Sequence, residues 1–180
     1  MMTRWKKRTE QAPVAVALGL GSNAGDREEH LLVAIRSLAA LLENLTVSSP
    51  YLTQPLHDPS QSEFLNAAVV GCCACDAEQL MAIAKGLEWT AGRRPGVRYG
   101  PRPLDVDLLL MNDLWIRRPE LTVPHPRLAQ RRFALTPLNE IAPDWQVPPQ
   151  GKTVSSLLEA LGEAQLIEAR SWSSAPIQDS

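Results

Sequence analysis

Long apolar runs are missing from this 180-residue sequence: no stretch approaches the roughly 18 consecutive apolar residues of a membrane helix, so no membrane span is expected. Strong charge of one sign is missing too. Eighteen Lys and Arg face twenty Asp and Glu, a formal charge of −2, which argues against a general nucleic-acid coat. With only two Phe and two Tyr, a sheet that stacks RNA bases lacks its platform. Cysteine is limited to Cys72, Cys73 and Cys75, an odd number bunched in one apolar run with no second Cys or His pair at zinc spacing. They read as small buried hydrophobes in a reducing cytoplasm. No internal period recurs, so a solenoid is excluded.

What is present is 44% hydrophobic residues, enough for one core in one domain. Residues 1–12, with Arg4, Lys6, Lys7 and Arg8, read as a flexible basic tail; 13–163 as a single domain; 164–180 as a loose C-terminal tail. Val14 to Leu20 is a strand leading into a Gly-rich turn at Gly19, Gly21 and Gly25. Leu31, Leu32, Ile35, Leu38 and Leu42 recur at helical spacing from Arg27 onward. Leu45 to Thr53 has strand character broken by Pro50, and Phe64 to Cys73 is a further β-rich run. Asp76 with Gln79 forms a capping box that opens a helix to about Thr90. Leu104 to Met111 is the last clear strand, with Asn112-Asp113 as a turn that starts a hairpin into Trp115 and Ile116. The order strand, helix, strand, strand, helix, strand predicts an α+β fold, a ferredoxin-like βαββαβ core with an antiparallel sheet and helices packed on it. After Val123 a Pro-rich stretch wraps the core with short helices and ends in a helix from about Thr153 to Leu161.

The strongest local chemical signal is Asp105 and Asp107. On a strand the period of two puts both carboxylates on one face and Val106 and Leu108 on the other. Like charges so placed need a cation, and carboxylate oxygens without His or Cys suit hard Mg²⁺; surface aspartates bridged to arginines are the bland alternative. Arg93, Arg94, Arg98 and Arg102 stand just upstream in a loop with Pro95, Gly96, Gly100, Pro101 and Pro103. Two aspartates do not account for four cations, whereas a nucleoside triphosphate carries about four negative charges. His125 lies between two prolines, with Arg127, Arg131 and Arg132 nearby as further phosphate donors. Phe64 and Phe133 offer flat apolar faces, and Asn66 a donor and an acceptor for a heterocycle edge.

Gly21-Ser22-Asn23, Phe64-Leu65-Asn66-Ala67-Ala68, Gly100-Pro101-Arg102-Pro103-Leu104-Asp105-Val106-Asp107 and Leu121-Thr122-Val123-Pro124-His125-Pro126 together resemble the signatures of the 6-hydroxymethyl-7,8-dihydropterin pyrophosphokinase family. The resemblance runs from about Ala15 to Leu161. It implies a Mg-dependent diphosphotransferase of folate biosynthesis: ATP as co-substrate, two Mg²⁺ ions, and transfer of the β,γ-diphosphate to the pterin hydroxymethyl oxygen with release of AMP. It makes Asp105 and Asp107 the metal ligands, and Asn66 the pterin reader with Thr53 and backbone near Leu56. Phe64 and Phe133 would sandwich the pterin. Glu88, Arg98, Arg102, His125 and Arg131 would engage ATP, and Arg93, or alternatively Arg94, would belong to a mobile loop. His57 stands where glycine is frequent, and Tyr99 where tryptophan is often found. The implied partners are these small molecules alone, with no nucleic acid or membrane, on a monomer. Rival readings are a polymerase or cyclase palm, which pairs carboxylates on the same topology, and a paralogue that binds pterin without turnover.

Overall fold

The computed structural model describes residues 12–55, 60–94, 100–162 and 166–177. Its elements are β1 (Val14–Ser22), α1 (Arg27–Ala39), β2 (Glu43–Val47), β3 (Tyr51–Thr53), β4 (Phe64–Cys73), α2 (Ala77–Thr90), β5 (Asp105–Met111), β6 (Ile116–Arg117), β7 (Thr122–Val123), α3 (Arg132–Ile141), β8 (Gln146–Val147), β9 (Lys152–Thr153), α4 (Val154–Ala160) and β10 (Ile167–Ala169). The fold is mixed α+β. The main sheet runs β10-β3-β4-β1-β5, with β2 also paired to β4, and every pairing in it is antiparallel.

Alternation along the central strands divides the core between two helical layers. Val16, Leu18 and Leu20 of β1 share one cluster with Leu31, Ile35 and Leu38 of α1 and Leu80 and Ala84 of α2. Ala17 of β1 and Ala68 and Val70 of β4 belong to a second, with Leu135 and Leu138 of α3 and Val154 and Leu157 of α4. The helices start where the sequence signals them: Asp26 accepts the Glu29 N–H at 3.1 Å, and Asp76 and Gln79 close their reciprocal capping box at 2.8 and 2.9 Å. α3 continues through Pro137 although proline removes a helical donor, because Ala134, Leu135 and Leu138 are buried around it.

Four features depart from the sequence reading. β1 continues to Ser22, so Gly19 and Gly21 lie in the strand and the turn begins after it. The Asn112-Asp113 turn does form, with Asn112 at φ 48°, but the following β6 pairs with β7 and not back onto β5. β5 carries a bulge against β1 between the Ala17–Leu110 and Leu18–Leu108 pairs, so Leu109 and Leu110 both join the α3 layer. The segment expected to be a loose tail supplies β10, whose Ile167, Glu168 and Ala169 pair with Thr53, Leu52 and Tyr51. The otherwise unpaired edge of β3 recruits it, and Trp172 follows, packing on the core and donating Nε1–H to the Ser48 carbonyl at 3.0 Å. The basic tail proposed for the first twelve residues lies, but for Ala12, outside the described residues. Among the described residues no helix is long and apolar enough to cross a membrane, and all three cysteines are free thiols.

α3 is tied to β3 by Glu140, whose carboxylate accepts the Ser49 N–H at 3.0 Å, the Ser49 hydroxyl at 2.9 Å and the Tyr51 hydroxyl at 2.8 Å. Burial first, and the Glu140 carboxylate second, raise the Tyr51 phenol to about 12. Glu140→Ala is expected to destabilise the fold by about 1–2 kcal/mol, the lost charge-assisted bonds being partly replaced by water at this exposed position. A urea denaturation midpoint equal to that of the parent protein would show that the tie carries no stability.

Candidate active site

Pleating places Asp105 and Asp107 on the sheet face that α3 covers only in part. Strand register then decides what lies beside them. Gly21 pairs with Asn66 on one side and Asp105 on the other, and Gly19 pairs with Ala68 and Asp107. Asn66, Gly21 and Asp105 thus form a row across three strands. At an inter-strand spacing of about 4.8 Å, Asn66 and Asp105 stand about 10 Å apart. The glycines keep that floor open: a Cβ on Gly21 would come within 3.0 Å of the Asn66 Oδ1, and one on Gly19 within 3.3 Å of the Leu109 side chain.

Over this floor is a cavity of about 280 Å³, near the lower end of the roughly 300–1,000 Å³ typical of ligand pockets. Its walls include Thr53, Phe64, Asn66, Arg102, Asp105, Asp107, Arg131 and Phe133, eight residues singled out from the sequence and drawn from β3, β4, β5, α3 and the segments that precede β5 and α3. One side is apolar and aromatic, the other strongly charged. Asn66 is buried, and its Nδ2 donates to the Thr53 hydroxyl at 2.8 Å, which fixes the amide and leaves Oδ1 toward Gly21.

The carboxylates are capped by guanidiniums. Asp105 is held by Arg93 at 2.5 Å on Oδ1 and Arg102 at 2.8 Å on Oδ2, while Asp107 is held by Arg131 at 2.6 Å. Burial pushes the Asp105 carboxyl up, but the charges of Arg102 and Arg93 outweigh it, and the net direction is down. Its pairing therefore stabilises the fold above the ordinary carboxylate range and is lost as pH falls through the lowered value. The cap does not close the site, because both aspartates and Arg131 still line the open cavity. Among the described residues there is no group of three or more His, Cys, Asp or Glu able to hold a metal alone. The donor set is nevertheless all carboxylate oxygen, and Mg²⁺ commonly binds through one or two carboxylates with substrate phosphates and water completing its shell.

Two predicted residues are not part of this cavity's lining. Glu88, only 3% exposed, accepts the Val106 N–H at 2.9 Å and pairs with Lys85 and Arg93. His125 donates its backbone N–H to the Leu109 carbonyl, and its Nδ1 accepts the Arg127 N–H at 3.2 Å. Burial and then Arg131 lower its pKa, so the ring is neutral near pH 7 with its proton on Nε2. Arg93 reaches Asp105 from outside the wall, whereas Arg94 stacks on Trp89 at 4.1 Å. Leu56 and Arg98 lie outside the described residues, as do His57 and Tyr99.

Sequence reasoning missed the two floor glycines as wall residues, together with Gln61 and Gln130. Glycine at positions i and i+2 of a strand was the available signal. It also missed Asn23, 4% exposed, which exchanges two bonds with Arg102 (backbone N–H to Asn23 Oδ1 at 2.7 Å, Asn23 N–H to the Arg102 carbonyl at 3.0 Å) and donates Nδ2 to Gln61 at 3.0 Å.

Residues 17–143 match the family described as 7,8-dihydro-6-hydroxymethylpterin-pyrophosphokinase (HPPK). The 2-amino-4-hydroxy-6-hydroxymethyldihydropteridine pyrophosphokinase of Bacillus subtilis is 41% identical over 126 residues, covering 69% of this chain and 75% of that protein. Its namesake in Aquifex aeolicus is 39% identical over 129 residues, 72% of this chain and 81% of that one. The mitochondrial folate synthesis bifunctional protein of Arabidopsis thaliana is 39% identical over 127 residues, 70% of this chain but only 23% of the plant protein's length. Plasmodium falciparum HPPK-DHPS with pteroate superposes at a TM-score of 0.66 and 15% identity over 84% of this chain and 45% of that chain, a likeness of fold. The matched stretch contains the whole row from Asn66 to Asp105 and reaches past Phe133, and the chain belongs to the 7,8-dihydro-6-hydroxymethylpterin-pyrophosphokinase family.

Proposed function

We propose that this chain catalyses transfer of the β,γ-diphosphate of ATP to the hydroxymethyl oxygen of 6-hydroxymethyl-7,8-dihydropterin, releasing AMP. The observation that carries the reading is the row Asn66-Gly21-Asp105, with a heterocycle-reading amide and a carboxylate pair about 10 Å apart on one floor. That span suits a fused bicyclic ring with its hydroxymethyl arm directed at the charged end.

Each group then has a task. Asn66, oriented by Thr53, presents Oδ1 to ring N–H groups, and Phe64 and Phe133 supply apolar faces on either side. Arg102 and Arg131 release the aspartates and take up polyphosphate oxygens as ATP arrives, so each guanidinium exchanges one anion for another and none is left unpaired. Of the two loop arginines, Arg93 takes the role at the reacting end, since Arg94 is occupied on Trp89. His125 donates from Nε2–H to the nucleotide. Asp105 and Asp107 would hold Mg²⁺, two ions on this reading, which when bound supply Lewis-acid polarisation of phosphoryl oxygens and template the polyphosphate. The hydroxymethyl oxygen forms its bond to the β-phosphorus as the bond to the α-phosphate bridging oxygen breaks, and its proton leaves to solvent. The protein contributes position and fixed charge.

We read the sheet order as ferredoxin-like, the chain from residue 13 as the catalytic unit, extended by β10 past the limit of 163 expected from the sequence and with the Pro-rich stretch after Val123 wrapped within it, and the enzyme as a cytoplasmic monomer, which the free thiols suit.

Incubation with ATP, Mg²⁺ and the reduced hydroxymethylpterin is expected to yield AMP and diphosphorylated pterin in equal amounts; ADP, or no product, would overturn the reading. Asp107→Ala is expected to lower turnover by about 10³-fold or more while circular dichroism stays that of the folded protein. Gly21→Ala, whose methyl meets the Asn66 amide, is expected to raise the KM for pterin by about tenfold or more and to leave that for ATP within about threefold. Steady-state kinetics with each substrate varied in turn separates the two.

A further inference from the structure

Three guanidiniums line the cavity: Arg102, Arg127 and Arg131. Arg102 and Arg131 are each held by a carboxylate, at 2.8 and 2.6 Å. Arg127 is different, because among the described residues its exposed side chain has neither an ion pair nor a hydrogen bond. Its backbone, in contrast, is pinned. The Arg127 N–H donates to His125 Nδ1 at 3.2 Å, its carbonyl accepts the Gln130 N–H at 3.0 Å, and the next residue, Leu128, is 1% exposed in the core layer of α3. The His125 N–H in turn donates to the Leu109 carbonyl of β5 at 2.9 Å, so the turn that carries Arg127 is fastened to the aspartate strand. A fixed frame thus presents an uncommitted cation to the opening that Arg131 also faces. Like charges gathered on one concave surface raise its attraction for anions.

We infer that Arg127, to which the resemblance gives no role, is a further binding residue for the nucleotide and takes a triphosphate oxygen that the exchanging arginines do not serve. This inference rests on the proposed reaction, which supplies the polyphosphate. Arg102 and Arg131 give up an aspartate for each phosphate oxygen they gain, so the exchange changes their interaction energy little. Arg127 gives up only water. Its new ion pair therefore adds to affinity, in an amount held down by its exposure and by salt. Salt dependence is what distinguishes this role from a structural one, since packing and backbone bonds in the turn are not screened.

The test is titration calorimetry of α,β-methylene-ATP with Mg²⁺ on the parent chain, Arg127→Gln and Arg127→Lys, at about 20 mM and about 300 mM salt. Arg127→Gln is expected to weaken binding about fivefold at the lower salt and less than about twofold at the higher. Arg127→Lys, which keeps the charge, is expected to stay within about twofold of the parent at both. In the AMP-forming assay Arg127→Gln is expected to raise the KM for ATP and to leave that for pterin within about twofold, with a melting temperature within about 2 °C of the parent. Parent-like binding by Arg127→Gln at low salt, an equal loss at both salts, a lysine variant no tighter than the glutamine one, an equal rise in both KM values, or failure of Arg127→Gln to fold would each overturn the inference and leave the proposed reaction standing. A parent chain that does not bind the analogue at all would overturn the proposed reaction, and this inference with it.

Discussion

Asp105 and Asp107 project from one face of a strand at the rim of the sheet, and two anions so close require cations within a few ångström. In the protein as described those cations are Arg93, Arg102 and Arg131. The arrangement is a stored exchange: carboxylates and guanidiniums neutralise one another until a polyphosphate with its metal presents the complementary pair of charges. Because every partner is replaced by another of the same sign, the rearrangement avoids the large cost of leaving a partly buried charge alone. The buried Glu88 extends the network one step into the protein, and the lowered pKa of Asp105 reflects the same surplus of positive charge.

The second constraint is geometric. A side chain at Gly21 would crowd the amide of Asn66, its neighbour in register, with the Phe64 ring next nearest. The sheet thereby acts as a ruler that sets the distance between a ring-binding end and a phosphate-binding end. α3 covers the rest of the same face and ends the cavity with Phe133, whose ring also lies 5.5 Å from the Arg131 guanidinium, so the apolar and charged ends meet there.

Local signals were the legible ones. The two-residue period of the aspartates, the capping box at Asp76 and the helical spacing after Arg27 each depend on residues a few positions apart. Eight cavity residues follow from such signals together with the resemblance. What stayed hidden is non-local. The pairing of β10 with β3 joins segments more than a hundred residues apart and leaves no mark on either one's hydrophobic pattern. Gly19 and Gly21 read as a turn by composition, and only the extension of β1 to Ser22 makes them a floor. Glu88 was found, yet its bond to the Val106 N–H depends on how α2 meets β5, and periodicity carries no such information.

The stretch matched to the family description ends at residue 143, whereas the sheet is finished only by Ile167–Ala169. Borders drawn by kinship and borders drawn by folding therefore do not coincide. A fragment trimmed to the shared portion would lose α4, β10 and the Trp172 anchor together, leaving the open flank of Tyr51–Thr53 as a template on which other chains could add strands, right beside the threonine that steadies Asn66.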